Sequence, residues 1–578
     1  MSVVFCKFAN QKSCQMKRLY FILVMLLLSL MAMAQLSPKE ILDARGELYF
    51  RFPIERQRLN EFSRVISIDG YRNGYCYAYA NKREFAEFRK FGIACEPVRE
   101  YYEAKDELQM AESLNDMFAW NVYPTYSIYC EMMQYFAETY PEICKLDTIG
   151  STFSDYKLLA VKISDNVNED EAEPEFFLGG QMHGDELIGG MVCLRLIDKL
   201  LHDYGTDQEV TNLVDNMEIF INPLSNPEGT YIFTPDSVNN SIRYTRNGYG
   251  WDHFIDMNRN FPDANAGEHP DGSESYAFET EAFMQYADEH KFVMSANLHS
   301  GAELVNYPFD TEETLPADDD WWQMVSAEYV ALARQACSDP EYMTSDFPSG
   351  YTNGYAWYTI TGSRQDYMNY FKHCREVTLE LSIEKLLRNE LLASYVSRNI
   401  PPMLAYMKRA TLGLHGFVTD SVTGEPLRAK VFINGHDYFN SHVYSFLPTG
   451  EYYRFLKAGH YNVSFYADGY IHKTIAVDIT DNAAQNLDVQ LVQGYDPETI
   501  VEECLQFSFY PNPVADKLYM GGNECFSALE IYDVSGRLLV SKKGVVGFVD
   551  VSMLRPGQYM LKLVSDDGNV VKTKFLKM

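Results

Sequence analysis

The chain has 578 residues, with 49 Lys plus Arg against 81 Asp plus Glu and a net charge of -32; this is more than one hydrophobic core normally organises, so three or four domains are expected. The charge excludes nucleic-acid binding, because attraction to phosphate needs clustered basic side chains. Acidity suits basic peptide substrates but is also a common solubility feature, and it carries little weight alone.

Met16-Lys17-Arg18 precedes the apolar run Leu19 to Leu30, and Ala32-Met33-Ala34 before Gln35 reads as a signal-peptidase site. The run is short and ends in small residues, which favours a cleaved signal over residues 1–34 against an anchor. Residues 1 to 15 look superfluous, with Met16 the expected start. Nothing later is long and apolar enough to span a bilayer, so an exported protein without a membrane-spanning segment is expected. Of the 11 cysteines, Cys6 and Cys14 leave with the signal and nine remain. An odd number leaves at least one thiol unpaired or bridged elsewhere. Cys76/Cys95 and Cys504/Cys525 are the plausible local disulfides, and none of the nine has a CxxC or Cys/His zinc spacing.

Residues 35–115 read as a first small unit with its linker. Val65 to Ile68 and Tyr75 to Tyr79 predict strands and Arg83 to Phe91 a helix, leading to Ile93-Ala94-Cys95. The unit is either a pro-segment covering an active site or an accessory domain, and the charged Glu103 to Asn115 is the expected exposed linker. Over 116–411 helices and strands alternate. Ser127 to Tyr140 predicts a helix, Leu158 to Ile163 and Phe176 to Leu178 strands, Leu187 to Tyr204 a helix, and Met217 to Ile221 a strand ending at Asn222-Pro223-Leu224. The pattern predicts an α/β fold with a mixed sheet sandwiched by helices. After about Leu412 short strands take over, as in Gly416 to Thr419, Lys430 to Ile433 and Tyr461 to Phe465, so two small all-β sandwich domains, 412–493 and 504–578, are expected.

Within the α/β stretch, Gln181-Met182-His183-Gly184-Asp185-Glu186 follows Phe176-Phe177-Leu178 and opens the amphipathic Leu187 to Leu201. Three histidines have an acid three residues on, in His183/Glu186, His253/Asp256 and His373/Glu376, so spacing alone selects nothing. Only His183 and Glu186 lie where a buried-looking strand ends and a helix begins, the crevice edge at which open α/β sheets bind ligands. A zinc enzyme needs three protein ligands and an open fourth position. Phe292-Val293-Met294 leads to Ala296-Asn297-Leu298-His299, which puts His299 at a second strand end. Glu380, in the alternating Glu376 to Leu381, is the candidate general base.

From roughly Trp120 to Thr411 these motifs resemble the zinc metallocarboxypeptidases of the carboxypeptidase A/B type. The resemblance implies one zinc ion on His183, Glu186 and His299, with Glu380 as the catalytic glutamate. It makes Arg243 the arginine that polarises the scissile carbonyl, and Asn258 and Arg259 the clamp for the substrate's terminal carboxylate. Tyr358, eight residues before Asp366, matches the mobile active-site tyrosine. Asp185 stands where the digestive members have arginine, a departure that touches subsite contacts and leaves the chemistry alone. Gln365-Asp366-Tyr367 and Val305 to Asp310 resemble the N/E branch, and 412–493 resembles the transthyretin-like sandwich of that branch. There Asp310, eleven residues after His299, would pair with a basic C-terminal side chain.

Phe509 to Pro513, Ile531 to Arg537, Leu554 to Tyr559 and the lysine-rich Val570 to Lys577 resemble a type IX secretion sorting domain. That implies the type IX machinery as a partner, transit of a Gram-negative periplasm, and removal of the domain on the way to the surface or medium. The expected function is a secreted zinc carboxypeptidase acting on peptide or protein C-termini and releasing Lys or Arg. The alternatives are a zinc amidase for cell-wall peptides or N-acyl amino acids and a catalytically silent surface-binding protein. The presence of His183, Glu186, His299 and Glu380 together weighs against the silent protein.

Overall fold

The computed structural model describes residues 37–98, 101, 107–250, 253–494 and, toward the end, 508–510, 514, 516–521, 526–533, 537–545, 548–565 and 570–578. These fall into two units, one made of the chain up to Asp106 with Arg246–Phe254, the other of Glu107–Thr245 with Ile255–Met578. The expected signal segment and Cys504 and Cys525 lie outside the described residues. No described helix is long and apolar enough to cross a membrane.

In the first unit, strand β1 (Glu47–Pro53) buries Phe50 and Phe52. It joins β2 (Ser67–Arg72), β3 (Tyr75–Asn81) and β4 (Glu96–Pro97) in an antiparallel sheet ordered β2-β3-β1-β4. Helices α1 (Pro38–Arg45) and α2 (Lys82–Arg89) each start on a capping box, Ser37 with Glu40 and Asn81 with Glu84. Phe88 of α2 packs on Phe50 and Phe52 at ring separations of 4.9 and 4.8 Å. The topology corrects the expected Cys76–Cys95 bridge. Cys76 lies opposite Phe52 on one side of β1, while Glu96 pairs with Arg51 on the other. With β1 between them the two cysteines are about two strand spacings apart, roughly 9.5 Å, and a disulfide reaches no more than about 7 Å. Both are free, as are the other described cysteines.

The second unit is organised by a mixed sheet of eight strands: β5 (Cys144–Ser151), β6 (Lys157–Ile163), β7 (Glu175–Gly180), β8 (Glu218–Asn222), β9 (Phe292–His299), β10 (Glu303–Tyr307), β11 (Tyr351–Asn353) and β12 (Arg375–Leu381). Their order is β11-β10-β12-β9-β7-β8-β6-β5. The central strands β12, β9, β7 and β8 are parallel, so their C-terminal ends share one edge. Six helices cover the sheet: α3 (Tyr126–Thr139), α4 (Ile188–Asp203), α5 (Phe278–Glu289), α6 (Asp319–Cys337), α7 (Arg364–Phe371) and α8 (Asn389–Lys408). Alternation along β7 sends Phe176 and Leu178 into the layer of α3, α4, α6 and α8, and Phe177 into the layer of α5 and α7. This is the expected sheet sandwiched by helices. Burying each such side chain contributes about 1.5–3 kcal/mol, which makes the strand ends a rigid platform.

The second half of the expected linker is built into this unit. Leu108 and Ala111 are buried. The Leu108 and Gln109 N–H groups donate to Asn239 and Asn389 at 2.7 and 2.8 Å.

After the α/β part, strands Gly413–Asp420, Glu451–Arg454, Tyr470–Ile471, Ala484–Asn486 and Val489–Gln493 face a second sheet of Lys430–Ile433, Val443–Tyr444, Gly459–Tyr466 and Lys473–Ile479. Leu414, Val418, Val431, Phe465 and Val489 fill the space between. The described part of 508–578 is again β, in a three-stranded and a four-stranded sheet around Leu518, Ile531, Leu561 and Leu563.

His373, just before β12, meets His442 of the sandwich, with ring centroids 4.6 Å apart and the His373 Nδ1 3.2 Å from the Asn440 carbonyl. Burial pushes His373 down to about 4 and His442 to about 2. Between pH 6.5 and 4 the unfolded chain therefore binds protons that the folded chain refuses, and stability falls as pH drops through that window. His373 alone accounts for about 3 kcal/mol of this. Glu279, pushed up to about 8 by burial, titrates with the opposite sign, so the histidine contribution is read as a difference between variants. His373 has φ of 53°, a conformation asparagine accepts. His373→Asn is expected to flatten the loss of stability between pH 7 and 4.5 in urea unfolding, and an unchanged slope would refute the assignment.

Candidate active site

The shared strand edge gathers the metal candidates. β7 ends at Gly180, three residues before His183, and Gly180 pairs in register with Leu298 of β9. On the other side of β9, His299 is the register partner of Glu380 on β12. The loop after β7 is tight, since a Cβ on Gly184 would lie 2.4 Å from the Gly229 carbonyl carbon and 2.5 Å from the Ile242 carbonyl oxygen. Glycine lets His183 and Glu186 turn back over the sheet edge.

His183, Glu186 and His299 are buried, and one ligand atom from each lies within 4.8 Å of the others. The His183 Nδ1 is 2.9 Å from Glu186 Oε1, the His299 Nδ1 is 2.9 Å from Glu186 Oε2, and the two Nδ1 atoms are 3.0 Å apart. His183 directs Nε2 to Asp256 Oδ1 at 3.1 Å; with the proton there, its Nδ1 lone pair faces the cluster. Burial lowers His299 to about 4 and so keeps it neutral. Burial opposes ionisation of Glu186, but His183, Lys385 and His299 hold its carboxyl well below the usual range. Two imidazole nitrogens and an ionised carboxylate thus converge, and a divalent cation would satisfy all three. The two-imidazole, one-carboxylate set is that of a catalytic zinc site.

Further donors surround Glu186. Its Oε2 accepts the Ser300 N–H at 3.0 Å, and its Oε1 accepts from Lys385 Nζ at 3.1 Å and Arg243 Nη1 at 3.3 Å. Arg243 also donates from Nε to Asp256 Oδ2 at 2.9 Å. Asp256 continues the network by accepting the Asn258 N–H at 3.0 Å on Oδ1. The Asn258 side-chain oxygen accepts the Arg364 N–H at 3.0 Å, and Arg259 Nη1 donates to the Asn258 carbonyl at 2.7 Å. Arg259 is only 8% exposed, and its Nε has no hydrogen-bond partner among the described residues.

Asp310 lies in the loop after β10 and is 2% exposed. Its Oδ1 accepts from Asn306 Nδ2 at 2.9 Å and Gln365 Nε2 at 3.4 Å. Burial raises its carboxyl, with the Ser363 and Asn306 hydrogen bonds opposing. The half-buried Tyr358 follows the short helix Gly354–Trp357. Hydrogen bonds from Tyr355 N to the Phe309 carbonyl and from Ile360 N to the Asp310 carbonyl, 2.9 and 3.3 Å, tie its segment to the Asp310 loop.

His183, Glu186, His299, Arg243, Asn258 and Arg259 thus belong to one hydrogen-bonded assembly, to which Glu380 is joined by strand register, while Asp310 and the Tyr358 segment form a second group linked to each other. The competing pairs come apart. His253 is exposed while Asp256 is buried, and Glu376 is taken by Arg364 Nη2 at 2.9 Å and Ser295 Oγ at 2.7 Å. Asp256 is the residue sequence reasoning discarded, as half of that competing pair. Lys385, Asn306 and Gln365 went unassigned, although Lys385 comes five residues after Glu380, where β12 leaves the same edge.

Residues 129–401 match the peptidase M14 family, described as zinc carboxypeptidase, and residues 508–577 match the secretion system C-terminal sorting domain. Carboxypeptidase D of Homo sapiens is 33% identical over 372 residues, covering 62% of this chain and 26% of that protein; the match spans about a quarter of its length. Carboxypeptidase M of Mus musculus is 33% identical over 386 residues, 63% of this chain and 83% of that protein. The carboxypeptidase A from Helicoverpa armigera superposes with a TM-score of 0.48 at 17% identity, over 63% of this chain and 97% of that one. With that likeness to carboxypeptidase M over most of its length, and the His183–Glu186–His299 cluster at the sheet edge, this chain belongs to the zinc carboxypeptidase family.

Proposed function

We propose that the protein is an exported zinc-dependent carboxypeptidase that hydrolyses the last peptide bond of peptides or proteins and releases Lys or Arg. One observation carries the reading: a buried two-imidazole, one-carboxylate cluster sits in register with a glutamate and is wired through Asp256 to an asparagine–arginine pair. Zinc held by His183, Glu186 and His299 supplies Lewis acidity. Glu380 is the base that takes a proton from the attacking water and delivers it to the leaving amine as the C–N bond breaks. Arg243, fixed by Asp256 and Glu186, offers its guanidinium to the oxygen of the scissile carbonyl as negative charge grows there.

The Arg259 guanidinium presents a planar fork suited to the terminal carboxylate. Asn258 spends its side-chain oxygen on the Arg364 N–H, which leaves its amide NH2 as the end for substrate. Tyr358 is assigned to the substrate side of the same pocket. Asp310, held on Oδ1 by two amides and also hydrogen-bonded to Ser363, offers its carboxylate to an ammonium or guanidinium and repels acidic side chains.

Residues 35–115 are a pro-segment or accessory unit with its linker, 116–411 the catalytic domain, 412–493 a transthyretin-like sandwich, and 504–578 the region that engages the type IX machinery. After removal of the signal 1–34, the chain passes through the periplasm to the surface or medium. The test is mass spectrometry of matched peptides ending in Arg, Lys, Phe or Glu, incubated with the full chain with and without a zinc chelator. Chelator-sensitive loss of one residue from the Arg and Lys peptides is expected. Trimming of Phe instead discards the Asp310 assignment and keeps the enzyme class, whereas no trimming of any peptide overturns the reading.

A further inference from the structure

The carboxylate beneath the pocket, rather than the one facing it, is the unassigned feature. Asp366 sits in the first turn of α7, where its own N–H donates to Ser363 Oγ at 3.2 Å. Its side chain leaves the helix and takes the backbone N–H of Asp310 on both oxygens, at 2.9 and 3.0 Å, and the N–H of Thr311 on Oδ2 at 2.9 Å. These two N–H groups follow the end of β10, where no neighbouring strand offers an acceptor, and buried donors without partners are costly. The next residue back, Gln365, reaches Asp310 Oδ1 with one end of its amide and accepts the Thr378 N–H with the other at 2.8 Å. The opposite wall is a glycine: a Cβ on Gly354 would lie 1.9 Å from Asp310 Oδ1. The Asp310 carboxylate is thus confined by Asn306, Gln365, Ser363, Gly354 and the backbone that Asp366 grips.

We infer that Asp366 is a positioning residue for substrate selection, which fixes the backbone of Asp310 and Thr311 so that the Asp310 carboxylate meets a basic C-terminal side chain in one orientation. The inference rests on the proposed Lys/Arg preference. Asp366 touches no substrate atom and contributes orientation more than charge. Burial together with Asp310 and Asp263 pushes its carboxyl up, while the two N–H groups pull it down.

Removing one of the two acceptor interactions with the loop is expected to cost about ten-fold in discrimination. The experiment compares kcat/KM for peptides ending in Arg and in Ala for the full chain and for Asp366→Asn, Asp366→Ser and Asp310→Asn. Asn keeps the size of the side chain with one acceptor oxygen, and Ser keeps one oxygen in a helix first turn that tolerates it. Zinc content per chain and inhibition by free arginine are measured alongside. The Arg-to-Ala ratio is expected to fall about ten-fold in whichever Asp366 variants fold with full zinc, with weaker inhibition by arginine, and to collapse in Asp310→Asn. An unchanged ratio in a zinc-loaded Asp366 variant, with collapse in Asp310→Asn, overturns the inference alone. An unchanged ratio in Asp310→Asn overturns the Lys/Arg reading beneath it. Loss of zinc or of the fold in both Asp366 variants makes Asp366 a structural residue and also overturns the inference.

Discussion

Glu380→Gln is expected to lower kcat on an Arg-ended peptide by roughly 10³- to 10⁴-fold, at the upper end of what a positioned proton-transfer group contributes, and to leave one zinc per chain. Glutamine has nearly the same volume and preserves the β9–β12 ladder, which is made by backbone groups, so the ligand cluster stays in place. What it lacks is a site to take up the proton of the attacking water. Steady-state kinetics with metal analysis of the same preparation checks both halves. Activity within ten-fold of the parent would remove Glu380 as the base, and loss of zinc would mean that it supports the ligands instead.

Asp318→Asn is expected to destabilise the second unit by about 3 kcal/mol, the lower end of the cost of leaving one buried charge, Arg375, without its carboxylate. Asp318 Oδ2 accepts from Arg375 of β12 and from Arg454 of the sandwich, each at 2.9 Å, and its Oδ1 lies 2.9 Å from His436 Nε2. Both arginines are buried. Against the cost of burial, Arg454 and Arg375 hold the Asp318 carboxyl far below the usual range. An asparagine of the same shape keeps contacts but offers no charge; Arg454 retains Asp437 as its ion-pair partner, and Arg375 is left with the Ser441 carbonyl at 2.7 Å and no carboxylate among the hydrogen-bond partners of the described residues. Urea unfolding at neutral pH reads the loss. A shift under about 1 kcal/mol, the scale of an exposed pair, would show that water reaches this cluster.

Much of the α/β part is legible in sequence because its central strands are buried on both faces and its helices are amphipathic. Phe176 to Leu178 and Leu187 to Tyr204 mark β7 and α4 within two residues of their ends. The metal candidates were legible for the same reason, as polar residues placed where apolar runs stop. What stayed hidden depends on neighbours distant in the chain. The pairing of His299 with Glu380 is a matter of sheet order, which no local pattern encodes. Asp256 looked like one of several chance acids until His183 and Arg243 were found on its two oxygens. Cys76 and Cys95 suggested a bridge because β1 went unrecognised between them. The charged stretch after Glu107 looked free because its partners, Asn239 and Asn389, lie 131 and 280 residues further on.

The parallel pairing of β9 with β12 has an evolutionary consequence. Side chains alternate faces with a period of two, so gaining or losing a single residue inside either strand would turn His299 or Glu380 inward and present an apolar neighbour, Leu298 or Leu379, at the edge. Between the strands lie 75 residues, from Ser300 to Cys374, made of helices, loops and the strands β10 and β11, whose length does not enter that alignment. Lineages are therefore free to change the length of the intervening chain, while the pairing of His299 with Glu380 is inherited from the backbone ladder.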